Sequence, residues 1–264
     1  AKRASRGLTF VWMLSALATL FYLPVAVIIV LTQRPPIGWI EIVVALVGGA
    51  LQVIYFLFLS RGYRVGDLSL VYPLARGAGP LLATTAAVVF LGEQPTPLAL
   101  AGTALIVVGV IALTGDPRRL RPSGALPGVM YALLTGVTIA VYTLWDHNAV
   151  SKLAIPPMFY MWGLTLCQAL IPLPYALRHW GDVRQDWRSH RREAVGIALL
   201  SPLAYGMILV ALSFSPVSYI APAREISVLV GALMGARLLA EGNAPQRLAA
   251  AGAMVLGVVA LALG

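Results

Sequence analysis

Three charged residues stand out by where they fall. Arg76 lies in the apolar run 67–91, and Arg224 with Glu225 in the run 217–240, all near the middle of stretches otherwise made of Ala, Val, Leu and Gly. A charge at the centre of a bilayer costs somewhere between about 2.5 and 17 kcal/mol depending on method, so one retained there is a candidate for function. Three chemistries fit these residues. Arg76 and Glu225 could pair between two symmetry-related helices and fix their register, because a paired buried charge is tolerable where an unpaired one is not. One or both arginines could hold an anionic group of a bound molecule through forked hydrogen bonds. Glu225 could carry a coupling proton.

Both runs are punctuated in corresponding places. Tyr72 and Pro73 precede the first Arg and Gly77, Gly79 and Pro80 follow it, while Pro216 and Pro222 precede the second. Proline removes an N–H and frees a carbonyl, and paired interruptions of this kind mark a midplane site. Further polar and aromatic residues on neighbouring runs are Gln52 with Tyr55, Tyr142 with Trp145, and Tyr205. Residues three apart share a helix face, and Tyr offers an apolar body with a polar tip, so these side chains are candidates to line a mixed cavity. Trp145 opens the polar run Asp146-His147-Asn148 and reads instead as an interfacial anchor.

The elements that must position these residues are membrane helices. Of the 264 residues, 59% are apolar and 11% charged, with a mean hydropathy of +0.86. Soluble domains carry roughly 25% charged residues, so an ordinary water-soluble enzyme is excluded. Apolar runs fall at 8–31, 40–60, 67–91, 97–114, 125–145, 156–178, 194–213, 217–240 and 245–263, a predicted bundle of nine spans. No run alternates as a barrel strand would, so the fold class is all-α. The net charge of +9 suits anionic headgroups better than nucleic acid, since no basic cluster interleaves with aromatics. Cys167 is the only cysteine, which excludes an internal disulfide. There is no His/Glu metal spacing, nucleophile elbow, phosphate-cradling loop or Walker lysine, so neither a cofactor nor ATP-driven pumping is indicated.

Orientation follows from the basic residues. The N-terminal segment and the loops after the second, fourth, sixth and eighth runs hold fifteen Lys and Arg, against Arg34 and Lys152 on the other side. By the positive-inside rule the basic set is cytoplasmic. The segment 179–193 then reads as a cytoplasmic loop, and Gly264 faces outward. The amino-terminal run is too long for a signal-peptide core and reads as a span.

A shift of 148 residues lays Ala75-Arg76 on Ala223-Arg224, Leu91 on Leu239, Glu93 on Glu241, Pro97 on Pro245, Ala101 on Ala249, and Gly109-Val110 on Gly257-Val258. The chain therefore contains two related halves: 1–115 with four spans, a linker 116–123, and 124–264 with five. The fifth run, 125–145, maps before residue 1, so a first helix of about 25 residues is expected to precede this sequence. Five spans per half would make the second copy run upside down relative to the first. Glu93 and Glu241 read as interfacial turn residues, and Gly231 to Gly235 forms a GxxxG suited to close helix packing or a homodimer contact.

The segment Asp67-Leu-Ser-Leu-Val-Tyr72-Pro73-Leu-Ala-Arg76-Gly77, the Leu91-Gly92-Glu93 end followed by Pro97, and the degenerate copy Leu239-Ala240-Glu241 with Pro245 resemble the EamA type of the drug/metabolite transporter superfamily. The resemblance covers essentially the whole chain. It implies a ten-helix inverted-repeat transporter whose central cavity is walled by the first, third, fourth, sixth, eighth and ninth helices. It also implies small-molecule cargo, which in this superfamily ranges over amino acids, other metabolites, nucleotide sugars and drugs. The expectation is an inner-membrane secondary transporter working by alternating access, with the buried arginines favouring an anionic or zwitterionic metabolite. Flipping of a lipid-linked headgroup and a non-transporting scaffold role are the alternatives.

Overall fold

The computed structural model describes residues 7–35, 37–66, 68–114, 126–227 and 244–264, and these are helical throughout apart from short connections. Among the described residues, five helices are long and apolar enough to cross a membrane: Leu8–Gln33, Trp39–Val65, Leu74–Leu91, Leu126–Lys152 and Trp180–Leu212. Shorter apolar helices cover Pro97–Ala112 and Ala249–Leu263. Helix α1 (Gly7–Gln33) contains no charged residue and exposes Leu20, Ile28 and Leu31, as a helix solvated by lipid would. Helices α2 (Trp39–Val65), α3 (Leu68–Leu91), α4 (Pro97–Thr114) and α5 (Leu126–His147) come next, and α5 runs on into one π-helical turn, Asn148–Lys152.

The later elements depart from the expected spans. The run 156–178 is broken at Ile171 and Pro172 into α6 (Pro157–Leu170) and α7 (Leu173–Arg178). Segment 179–193, expected as a loop, instead forms the first part of α8 (Trp180–Leu212), which leaves helical geometry only at His190 (φ −134°, ψ 26°). Its charge density has the look of a connection, but Asp182, Arg184 and Arg188 lie exposed on a helix whose other side buries Val183 together with one charged residue, Asp186. Helix α9 (Val217–Ala223) stops before Arg224, and α10 (Ala244–Leu263) closes the chain. The Gly231 to Gly235 motif and Glu241 lie outside the described residues.

The chain divides into two compact units, each drawing on both halves of the sequence: Ala1–Ser60 with Trp145–Phe214, and Arg61–Leu144 with Ser215–Gly264. In the first, α1 packs on α6 and α8. In the second, α4 packs along α10, and α3 packs on both α4 and α9. The α4 and α10 contact is centred on Ala99, Ile106, Val110, Ala251, Met254 and Leu261. Close backbone approach makes it tight: a Cβ built on Gly102 would sit 2.6 Å from the Gly257 carbonyl oxygen, and one on Gly109 3.0 Å from that of Ala250. Under the 148-residue shift Gly102 corresponds to Ala250 and Gly257 to Gly109, so each of these two contacts is the image of the other. The pairing is antiparallel and self-corresponding.

Candidate functional site

In the second unit the sequence-singled charges converge. Pro222 contributes no N–H to α9, and the helix ends in a turn where the Glu225 N–H donates to the Pro222 carbonyl at 3.0 Å. That turn places consecutive charged side chains at a helix end. Arg76, on α3, donates from Nη1 to Glu225 Oε1 at 3.4 Å, and Arg224 Nε lies 3.6 Å from the same oxygen. Two guanidiniums therefore share one carboxylate oxygen. The Glu225 side chain is 1% exposed and that of Arg224 8%, whereas Arg76 retains 28%. An ion pair this deep is held by geometry and low dielectric rather than by hydration.

Aromatic faces flank both arginines. Tyr72, one turn before Arg76, places its ring centroid 5.8 Å from that guanidinium carbon, and Tyr142 on α5 lies 6.0 Å from that of Arg224. These distances suit cation–π attraction. Arg224 Nη1 also donates to Tyr142 Oη at 3.4 Å. Of the expected hinge residues, Pro222 does lie at a helix end, but Pro73, Gly77, Gly79 and Pro80 lie within one continuous α3. The interruption expected in the third span is not seen. Gly79 serves packing instead, since a Cβ there would meet Ile139 of α5 at 2.9 Å. Gly77 rests against Val107 and Ile111 of α4.

A second polar centre occupies the first unit, built around a residue that sequence reasoning passes over. By composition Asp146 belongs to the polar end of the fifth span, yet it is fully buried, at 0% exposure. Tyr160 Oη donates to its Oδ1 at 2.7 Å, Gln52 Nε2 to its Oδ2 at 3.4 Å, and the Tyr205 hydroxyl also donates to Oδ2. The chain of bonds continues as Gln168 Nε2 donates to Gln52 Oε1 at 2.7 Å and Ser15 Oγ to Gln168 Oε1 at 3.4 Å. Five helices are thus tied together by a network anchored on one carboxylate. Gly48 makes room for it, because a Cβ at that position would fall 2.5 Å from Tyr160 Oη and 3.3 Å from Asp146 Oδ1. The spacing Tyr160, Leu164, Gln168, at i, i+4 and i+8 on one buried face of α6, is the signal that could have revealed it.

Gln52 and Tyr205 therefore belong to this centre, whereas Tyr55 meets the ring of Phe56 edge-on at 5.0 Å. Trp145 is half-buried and donates to the Val44 carbonyl at 2.9 Å. Glu93 follows Gly92, whose φ of +69° ends α3 in a conformation that favours glycine. Its carboxylate accepts the N–H groups of Val217 and Ser218, both at 2.8 Å, and so caps α9. No group of three or more His, Cys, Asp or Glu that could hold a metal occurs among the described residues.

A helical membrane protein built from two related segments, with a buried charged cluster among its helices, has the character of a transporter. The chain belongs to the EamA-like transporter family, whose profile matches residues 2–115 and again 126–263. It is thus a multi-pass membrane protein of the drug/metabolite transporter type. No curated protein matches it in sequence. A solved structure described only as "Crystal structure of protein" has the same fold, with a TM-score of 0.73 at 15% identity over 96% of this chain and 88% of its own.

Proposed function

We propose that this chain is a secondary transporter of the inner membrane that moves a small anionic or zwitterionic metabolite by alternating access, with Arg76, Arg224 and Glu225 at its binding site. One observation carries the reading: Arg76 pairs with a buried carboxylate inside an apolar helix and still keeps more than a quarter of its side chain accessible. A purely register-fixing pair gains nothing from that access. The solvent-accessible part of the Arg76 side chain can meet a carboxylate or phosphate group, for which a guanidinium is suited, while Tyr72 and Tyr142 supply aromatic walls.

In this reading Glu225 is the candidate for proton coupling, and the carboxyl terminus lies on the extracytoplasmic side. The self-corresponding contact of α4 with α10 supports inverted repeats, since a two-fold relation between halves makes such a pairing symmetric. Flux of an anionic metabolite through the reconstituted full chain tests the site. Arg76→Ala should abolish flux while the protein still inserts and remains monodisperse, and Arg76→Lys should restore little, because an ammonium cannot reproduce the fork. Normal flux in Arg76→Ala would reduce the pair to a structural role.

A further inference from the structure

The amino-terminal part of α8 has an arrangement that transport does not call for. Residues 180–189 form a helix with four distinct sides. Val183 and Asp186 are buried against the unit, and the edge of Trp180 packs on the ring of Trp12 at 5.9 Å between centroids. At about 100° per residue, Trp180 and Trp187, two turns apart, fall together beside that buried side, and both are exposed. Arg184 and Arg188 come next around the helix and are exposed too. Asp182, Gln185 and Ser189 make up the remaining, fully polar side, also exposed. The order is therefore protein, aromatic, guanidinium, water.

Beyond a kink at His190 a second helix follows, and it carries the apolar stretch. After the non-helical residue His190, whose ring meets Phe10 edge-on at 6.5 Å, two more exposed arginines, Arg191 and Arg192, precede its apolar stretch. Arg191 and Arg192 thus flank the end of an apolar span, and the kink at His190 separates residues 180–189 from the helix of that span. Exposed Trp prefers the membrane–water boundary, and Arg clusters directly beside a span complement phosphate-bearing lipids.

We propose that the Trp180 to Arg192 segment is a binding site for anionic phospholipids, in which Arg184, Arg188, Arg191 and Arg192 hold headgroup phosphates and Trp180 and Trp187 seat at the acyl boundary. Zwitterionic lipids offer the same phosphate with its charge offset by an ammonium, so the site discriminates by net charge. A single Arg near an anionic surface contributes about 1 kcal/mol, which is about fivefold in lipid preference. Several acting on one headgroup cluster give tenfold or more.

The test uses the full chain in nanodiscs of phosphatidylcholine with and without phosphatidylglycerol, reading retained lipid by native mass spectrometry after transfer to detergent. Wild type should retain phosphatidylglycerol in at least about tenfold preference over phosphatidylcholine. The variant Arg184→Gln, Arg188→Gln, Arg191→Gln, Arg192→Gln should fall to near parity. Equal preference in wild type and variant would overturn the proposal. So would equal thermal protection of wild type by inorganic phosphate in pure phosphatidylcholine discs, which would assign the arginines to a free anion. A second variant guards against a folding defect: brominated phosphatidylglycerol should quench tryptophan emission in wild type more than in Trp180→Phe, Trp187→Phe, and identical quenching would contradict the assignment.

Discussion

Removal of the Asp146 carboxylate is the sharpest perturbation of the first unit. In Asp146→Ala, Tyr160 Oη loses an acceptor at 2.7 Å and Gln52 Nε2 one at 3.4 Å, in surroundings where Tyr160 is 1% and Gln52 9% exposed. A buried donor deprived of its acceptor costs about 1–3 kcal/mol, so the two together predict roughly 2–6 kcal/mol. Interhelical bonds between neutral groups in membranes average only about 0.6 kcal/mol, but this acceptor serves three helices at once and is replaced by nothing. Asp146→Asn keeps an acceptor oxygen while turning an amide donor toward one of the hydroxyls, and should fall between wild type and Ala. A double-mutant cycle with Tyr160→Phe separates the pair from its surroundings, with an expected coupling of about 1 kcal/mol. Reversible unfolding in mild detergent provides the readout. A loss below about 1 kcal/mol in Asp146→Ala would refute the claim that this carboxylate organises the unit.

Packing, capping and orientation each have an expected outcome of their own. Gly102→Ala should destabilise by about 1–3 kcal/mol, because its Cβ would meet the Gly257 carbonyl oxygen at 2.6 Å and backbone cannot step aside. Gly252→Ala, with nothing within 4 Å of its Cβ, should be neutral or slightly stabilising in the same unfolding assay. Glu93→Ala should cost about 1–2 kcal/mol by stripping the α9 amino terminus of both cap bonds, with Glu93→Gln recovering part of the loss. A tag placed after Gly264 should react with impermeant reagents applied outside the cell, and protection there would reverse the proposed orientation.

What the sequence made legible was set by how local the signal is. Arg76, Arg224 and Glu225 declare themselves because a charge inside an apolar run is costly wherever its partner lies, and the structure brings all three together. Gln52 was visible because a buried amide, though uncharged, must also find a hydrogen-bond partner. Asp146 was not, since an Asp-His-Asn run at the end of a span has the composition of a loop; its burial depends on hydroxyls that α6 and α8 bring from distant parts of the chain. Segment 179–193 misled in the same way, because charge density reads as a connection unless the buried spacing of Val183 and Asp186 is weighed against it. In α3, Pro73, Gly77, Gly79 and Pro80 suggested an interruption, but glycine also permits close helix packing, and Gly79 is used for that against Ile139.

The proposed transport depends on Arg76 meeting the cargo. A panel of small metabolites screened for thermal stabilisation of the full chain, side by side with Arg76→Ala, addresses this most directly. At least one anionic or zwitterionic compound should raise the melting temperature of wild type and leave the variant unmoved. Stabilising compounds that act equally on both proteins, or a response confined to cations, would contradict it.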